Sequence, residues 1–152
     1  PIAVAANTAY RMGGEEDLAS ISTLFETGII GNHIVNWVSP FKERIVQVVG
    51  EKGCFVADTV TADLTFWSND GLVSGDWDVL MHSRGVSEGD FVRYAIKKPE
   101  PLQVEVEAFR DAVLGIRDDT VSLEEGKCVL EVAEACLESA KSNSTVIIEK
   151  NV

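Results

Sequence analysis

Apolar and polar residues alternate along most of the first hundred positions. The clearest case is Val35-Asn36-Trp37-Val38-Ser39-Pro40-Phe41-Lys42-Glu43-Arg44-Ile45-Val46-Gln47-Val48-Val49-Gly50. Before the Ser-Pro break, Gly31, His33, Val35 and Trp37 fall on one side, and Ile30, Asn32, Ile34 and Asn36 on the other. After it, Arg44, Val46 and Val48 oppose Ile45, Gln47 and Val49. Period-two patterning bounded by Pro and Gly predicts two adjacent strands joined by a short turn, in the middle of a large sheet. Lys42 and Arg44 are then two apart on one strand and face the same side.

The same pattern predicts further strands over 2–12, 18–27, 29–38, 54–58, 61–67 and 91–97, with a less regular one over 77–82. Hairpin turns are expected at Thr27-Gly28, Glu51-Lys52-Gly53 and Asn69-Asp70-Gly71, because glycine supplies the positive φ of tight turns. The period changes at Pro99-Glu100-Pro101. Pro101 suits a first helical position, Val106, Phe109, Ala112 and Val113 share a helical stripe, and Gly115 can end the helix. Ser122-Leu123-Glu124-Glu125 reads as a capping box opening a second helix to about Lys141. Its apolar stripe is Val129, Val132, Ala133, Cys136, Leu137 and Ala140, and residues 145–148 read as a last strand. Strands first and helices afterwards predict an α+β fold: an open-faced, mostly antiparallel sheet with helices packed on one face. Two helices cover one face only, so the mixed apolar and polar remainder is expected to meet a second copy of the chain.

With 152 residues, the chain suits a single domain over 1–152. Its net charge of −12 and the acidic balance of both 1–99 (13 acids, 8 bases) and 100–152 (12 acids, 5 bases) argue against a nucleic-acid partner. No apolar run approaches the roughly 18 residues of a membrane span, and no signal-peptide pattern is present, so a cytoplasmic protein is expected. Cys54, Cys128 and Cys136 are an odd set without metal-ligand spacing, which predicts buried free thiols and no metal site.

Candidate chemistry is sparse. Gly28-x-x-Gly31 and Gly50-x-x-Gly53 occupy hairpin positions and open no helix, so neither is a dinucleotide fingerprint. His33 reads as a structural residue and His82 precedes a polar loop. Glu15-Glu16-Asp17 and Asp118-Asp119 read as solvated turn and helix-start carboxylates. Lys42 and Arg44 could hold an anionic substrate, or could be strand charges paired with Glu43 or a neighbouring Asp; Arg93 and Tyr94 carry the same ambiguity. No complete catalytic set is present in the sequence.

Four segments, in order, resemble the Gfo/Idh/MocA oxidoreductases. They are Asp17-Leu18-Ala19 with Phe25-Glu26-Thr27-Gly28; Asn36-Trp37, Pro40, Lys42 and Arg44 with Val49-Gly50-Glu51-Lys52-Gly53 and Asp58; Glu100-Pro101-Leu102 with Glu105, Phe109 and Val113; and Glu125-Gly126 with Val129-Leu130-Glu131-Val132-Ala133-Glu134-Ala135 and Ser139-Ala140. The resemblance covers Asp17 to the end and concerns that family's C-terminal domain, a glyceraldehyde-3-phosphate dehydrogenase-like open sheet that binds substrate and forms the oligomer. It implies a parent enzyme that uses NAD or NADP to oxidise a sugar, inositol or sugar-nucleotide hydroxyl, with the N-terminal Rossmann domain absent from this chain. The family's Asp-x-x-x-His element has no counterpart here, and Lys98-Pro99 follows Lys97 rather than Glu, so no catalytic or cofactor-binding residue carries over. The fragment alone is therefore expected to bind no cofactor and to be inactive, with Lys42 and Arg44 as candidate substrate or interface contacts. A stand-alone, non-catalytic binding or oligomerisation module of the same fold is the alternative.

Overall fold

The computed structural model describes residues 1–69 and 88–148. It contains β1 (Ala3–Ala9), β2 (Leu18–Leu24), β3 (Ile30–Asn36), β4 (Ile45–Gly50), β5 (Gly53–Asp58), β6 (Asp63–Asn69), β7 (Glu88–Tyr94), α1 (Pro101–Val113), α2 (Leu123–Ser142) and β8 (Val146–Ile147). The expected strand over 77–82, His82 and the glycine of the Asn69-Asp70-Gly71 turn lie outside the described residues. The chain divides into two compact units, Pro1–Pro40 with Ala108–Val152, and Phe41–Glu107.

The first unit holds a four-stranded antiparallel sheet in the order β3-β2-β1-β8. Its register puts Val4 opposite Thr23 and Ala6 opposite Ile21, and Ile21 opposite His33, so these residues share one face. That face carries the core: Val4, fully buried, and Ala6 pack on Ala135 and Cys136 of α2, with Ile21, Val132, Val146 and Ile148 around them. Burying a valine side chain completely contributes roughly 1.5–3 kcal/mol. Ala5, Asn7, Ser20, Ser22, Asn32 and Ile34 lie on the opposite face and are exposed.

The face that α2 buries overlaps the stripe its hydrophobicity selects only at Val132, Cys136 and Ala140. Ala135, Cys136 and Ser139 are buried and Val132 partly so, whereas Val129, Ala133 and Leu137 are exposed. Small side chains let the helix approach β1 closely, and Ser139 supplies the reason for the rotation. β8 pairs with β1 only at Ala3↔Ile147 and Val4↔Val146. Continuing that antiparallel register would set Ala6 opposite Ser144. Instead the Ser139 hydroxyl accepts the Ala6 N–H at 2.9 Å and donates to the Ser144 carbonyl at 2.7 Å. One side chain thus relays the ladder where the strand has ended.

Both ends of α2 follow their sequence signals. Ser122 and Glu125 form the reciprocal capping box, and Asn143 closes the helix in the left-handed conformation at φ 51°. α1 starts with the Glu100 carboxylate accepting the Gln103 N–H at 2.7 Å, and ends at Gly115, φ +69°, with Ile116 N–H donating to the Asp111 carbonyl. Its expected stripe does not enter a core: α1 buries no side chain, and Val106, Phe109 and Val113 are exposed.

The second unit holds a sheet in the order β4-β5-β6-β7. Val48, Phe55, Phe66 and Val92 line up across it, as do Val46, Ala57, Leu64 and Tyr94, giving one largely apolar face. Phe55 packs its ring at 4.6 Å from Phe66 and 6.3 Å from Tyr94. The other face mixes Val49, Cys54, Trp67 and Phe91 with Gln47, Asp58, Asp63 and Arg93, and Trp67 and Phe91 stand 4.4 Å apart.

The fold class is as expected, but the strand pair read as its centre is not a pair. β3 and β4 end different ladders. Each is taken by a tighter neighbour: β3 by β2 through the Gly28 turn, β4 by β5 through Glu51-Lys52. The link 37–44 is irregular, with the Ser39 N–H tied back to the Asn36 side chain at 2.7 Å. Short turns close at less entropic expense than a Ser-Pro link, and they set the pairing.

Candidate functional site

Lys42 and Arg44 precede β4, which begins at Ile45, so they do not share a strand as the alternation suggested. The Arg44 carbonyl accepts the Thr59 N–H at 3.0 Å and lies more weakly against the Thr59 hydroxyl at 3.4 Å, which fixes the main chain beside the end of β5. Both side chains are exposed and make no ion pair among the described residues, so of the two readings the pairing with Glu43 or a neighbouring Asp is not seen there.

The same end of the sheet is shaped by two aspartates. Ile45, Asp58 and Asp63 stand in one row across β4, β5 and β6. Between the latter two, Asp58 organises the turn: Oδ1 accepts the Val60 and Thr61 N–H groups at 2.8 and 3.2 Å, and Oδ2 accepts the Thr61 hydroxyl at 2.8 Å. Ala62 follows with φ 54°. Asp63 accepts Arg93 Nη2 at 2.8 Å on one oxygen and Lys98 Nζ at 3.1 Å on the other; Lys98 also donates to the Thr61 carbonyl at 2.6 Å. Arg93 is thereby a structural partner of Asp63, and Tyr94 belongs to the aromatic face. The Asp63 interactions cross from β6 to β7 and to the chain beyond it, a pairing that linear spacing alone does not expose.

These donors hold both carboxyls below the usual range. For Asp58 the Thr61 hydroxyl acts most strongly, followed by the Val60 N–H; for Asp63 it is Arg93, then Lys98. A carboxyl depressed in the fold stabilises it above the unfolded pKa, about 4, and that contribution is lost as pH falls through the lower folded value. Urea midpoints of the wild-type chain are therefore expected to drop below about pH 4. Asp58→Asn with Asp63→Asn lowers the midpoint at neutral pH and flattens that decline, and an unchanged pH profile in the double variant contradicts this account.

The remaining candidates are structural. His33 is exposed, with Nε2 3.5 Å from the buried Thr23 hydroxyl, which itself lies 3.3 Å from the Gly31 carbonyl. Asp17, read from the sequence as solvated, is buried: its Oδ2 accepts the Arg11 and Met12 N–H groups at 2.6 Å each and so folds the β1–β2 connection. A carboxylate beside two glycines and two glutamates resembles a surface turn, and only the tertiary fold reveals its burial. Asp119 pairs with Arg117. The cysteines are free as expected, but only Cys136 is buried; Cys54 is partly so and Cys128 exposed. No cluster of metal-ligating side chains occurs among the described residues, and no described helix is long and apolar enough to cross a membrane.

No protein-family model matches the sequence, and no curated protein does. Solved structures do match its fold. UDP-N-acetylglucosamine 3-dehydrogenase GnnA from Acidithiobacillus ferrooxidans superposes with a TM-score of 0.73 at 15% identity, over 91% of this chain and 40% of that one. Aldose-aldose oxidoreductase from Caulobacter crescentus, complexed with glycerol, gives 0.71 at 19% identity, over 97% and 41%. The WlbA dehydrogenase from Bordetella pertussis, in complex with NADH and UDP-GlcNAcA, gives 0.64 at 18% identity, over 99% and 39%. The chain thus spans about two fifths of the length of the structures it matches. The likeness is one of fold: two antiparallel sheets and two helices, shared with part of each of these oxidoreductases.

Proposed function

We propose that this chain is the C-terminal, substrate-binding and oligomerising domain of an NAD- or NADP-dependent dehydrogenase that oxidises a hydroxyl of a sugar, inositol or sugar nucleotide. The observation that carries this reading is the fold, shared over at least nine tenths of the chain with a UDP-N-acetylglucosamine 3-dehydrogenase, an aldose-aldose oxidoreductase and a dehydrogenase complexed with NADH and UDP-GlcNAcA. The order of the four sequence segments supports the same assignment. In this reading a Rossmann domain outside residues 1–152 holds the cofactor and the hydride chemistry, and this domain supplies a substrate wall with Lys42 and Arg44 as contacts. The exposed face of the first sheet, which carries Ser20, Ser22, Asn32 and Ile34, packs against a second copy in this reading. The protein acts in the cytoplasm.

Two measurements on the 152-residue chain test the reading. Titration with NADH and NADPH is expected to show no binding at micromolar concentration, and sedimentation to show a dimer or tetramer. Micromolar cofactor binding overturns the division of labour, and a monomer at tens of micromolar overturns the packing of the open face.

A further inference from the structure

Among the described residues the two sheets end in four edge strands, β3 and β8 in the first unit and β4 and β7 in the second. An edge strand offers its outward N–H and C=O groups to any extended chain, and native proteins blunt such edges with charge, brevity or a bulge. Three of the four carry such a device. β8 is two residues long, and beyond it the Ser139 hydroxyl occupies the flank of β1. β7 carries Asp90 and Arg93, and its pairing shifts register between Trp67 and Asn69. β4 is bracketed by Glu43 and Arg44 before it and by Glu51 and Lys52 after it. β3 has no such device. It contains no charge, no proline and no register shift, and residues 27–41 are the longest stretch of the chain without Asp, Glu, Lys or Arg. Ile30, Ile34 and Val35 are exposed, as are Ile29 and Trp37 at its ends. The register identifies the free main-chain groups. Phe25 N–H donates to the Ile29 carbonyl and Trp37 N–H to the Asp17 carbonyl, so the odd-numbered residues of β3 bond to β2. The N–H and C=O groups of Ile30, Asn32, Ile34 and Asn36 point outward, where no strand among the described residues pairs with them.

We infer that β3 is an interaction edge that pairs, antiparallel, with β3 of a second copy of the chain. A two-fold axis at His33 sets Ile30 opposite the partner's Asn36 and Asn32 opposite the partner's Ile34, which engages all four outward residues of each copy. A register shifted by two residues engages only three of them. Two chains of net charge −12 repel, and on this uncharged stretch they meet with no like charges directly opposed. A basic partner gains more from the acidic surface elsewhere. Each copy uses its edge once, so the contact closes at a dimer. It is a main-chain contact along an edge, distinct from the face packing of the proposed function and independent of it.

Hydrogen exchange of the ¹⁵N-labelled chain tests the pairing. The amides of Ile30, Asn32, Ile34 and Asn36 are expected to exchange roughly tenfold more slowly in a concentrated than in a dilute sample. Asn32→Pro removes one outward donor and leaves every bond between β2 and β3 in place, so it should abolish that slowing at Ile30, Ile34 and Asn36 and shift sedimentation towards smaller species. Gln47→Pro makes the same change on the outward flank of β4, where the Arg44 carbonyl and Thr59 N–H set the alternation, and should alter neither readout. Circular dichroism checks both folds. Ile34→Lys leaves the main chain intact and sets a cation diagonally beside the same substitution in the partner, so it should weaken association even if Asn32→Pro unfolds. Fast exchange at every concentration, slow exchange that ignores concentration because the chain covers its own edge, or equal effects of the two proline variants each overturns the pairing. Association lost in Ser22→Lys, on the open face, and retained in Asn32→Pro also overturns it and leaves the proposed function standing; the reverse outcome keeps the pairing and removes the face packing.

Discussion

Ser139→Ala is expected to lower the unfolding free energy by roughly 1–3 kcal/mol, because it strips the partner from the buried Ala6 N–H; the Ser144 carbonyl, on an exposed residue, can turn to water. Ser139 is 1% exposed, and its hydroxyl stands between the Ala6 N–H and the Ser144 carbonyl. Alanine is a better helix former than serine by a few tenths of a kcal/mol, which works in the opposite direction but is far smaller. The loss therefore measures the relay and not the helix. Urea denaturation provides the number, and hydrogen exchange gives the location: the Ala6 amide should lose protection before those of β2. A change below about 0.5 kcal/mol shows that β8 or water takes over the two groups and that the hydroxyl is dispensable.

Gly53→Ala carries an expected loss of more than about 3 kcal/mol, the sum of backbone strain and overpacking. Gly53 has φ +150°, and a β-carbon there falls 2.2 Å from the Trp67 carbonyl oxygen and 2.7 Å from the Phe66 ring. The obstacle is main chain of the neighbouring strand, so rotating a side chain cannot relieve it. β5 must tilt off β6, and the Phe55–Phe66–Tyr94 contacts open with it. Near-ultraviolet circular dichroism and the urea midpoint should both change. Gly50→Ala, whose β-carbon meets no atom within 4 Å, is the matched control and should shift the midpoint far less. Equal effects at the two positions refute the steric account.

How legible each part was depends on the range of the interaction that decides it. Hairpins and helix ends are settled by neighbours within a few residues, so Gly28, Gly115 and the Ser122–Glu125 box could be read directly. The faces of β3 were also legible, since period-two alternation put Gly31, His33 and Val35 on one side. The buried side of α2 was legible only in part, at Val132, Cys136 and Ala140. Hydropathy ranks Leu137 above Ser139, and only the unfinished ladder of β1 reverses that order. β3 and β4 failed for a related reason: alternation announces strands without naming their partners, and two short turns elsewhere captured them. At the candidate site, Lys42 and Arg44 could be picked out as cations near a strand start. The engagement of Asp63 by Arg93 and Lys98, thirty or more residues away, depends on the register of β6 and β7.

The relay through Ser139 joins positions 133 residues apart in the chain. A ribosome must therefore deliver the chain past Ser139 before the first unit can close its core, and the nascent β1–β2–β3 segment emerges with Val4 and Ala6 uncovered. The second unit is uninterrupted in sequence and built from successive antiparallel pairings, so it can assemble while the remainder is still being synthesised. During that interval the waiting three-stranded segment is the aggregation-prone part of the molecule, and chaperone dependence during synthesis should follow from it.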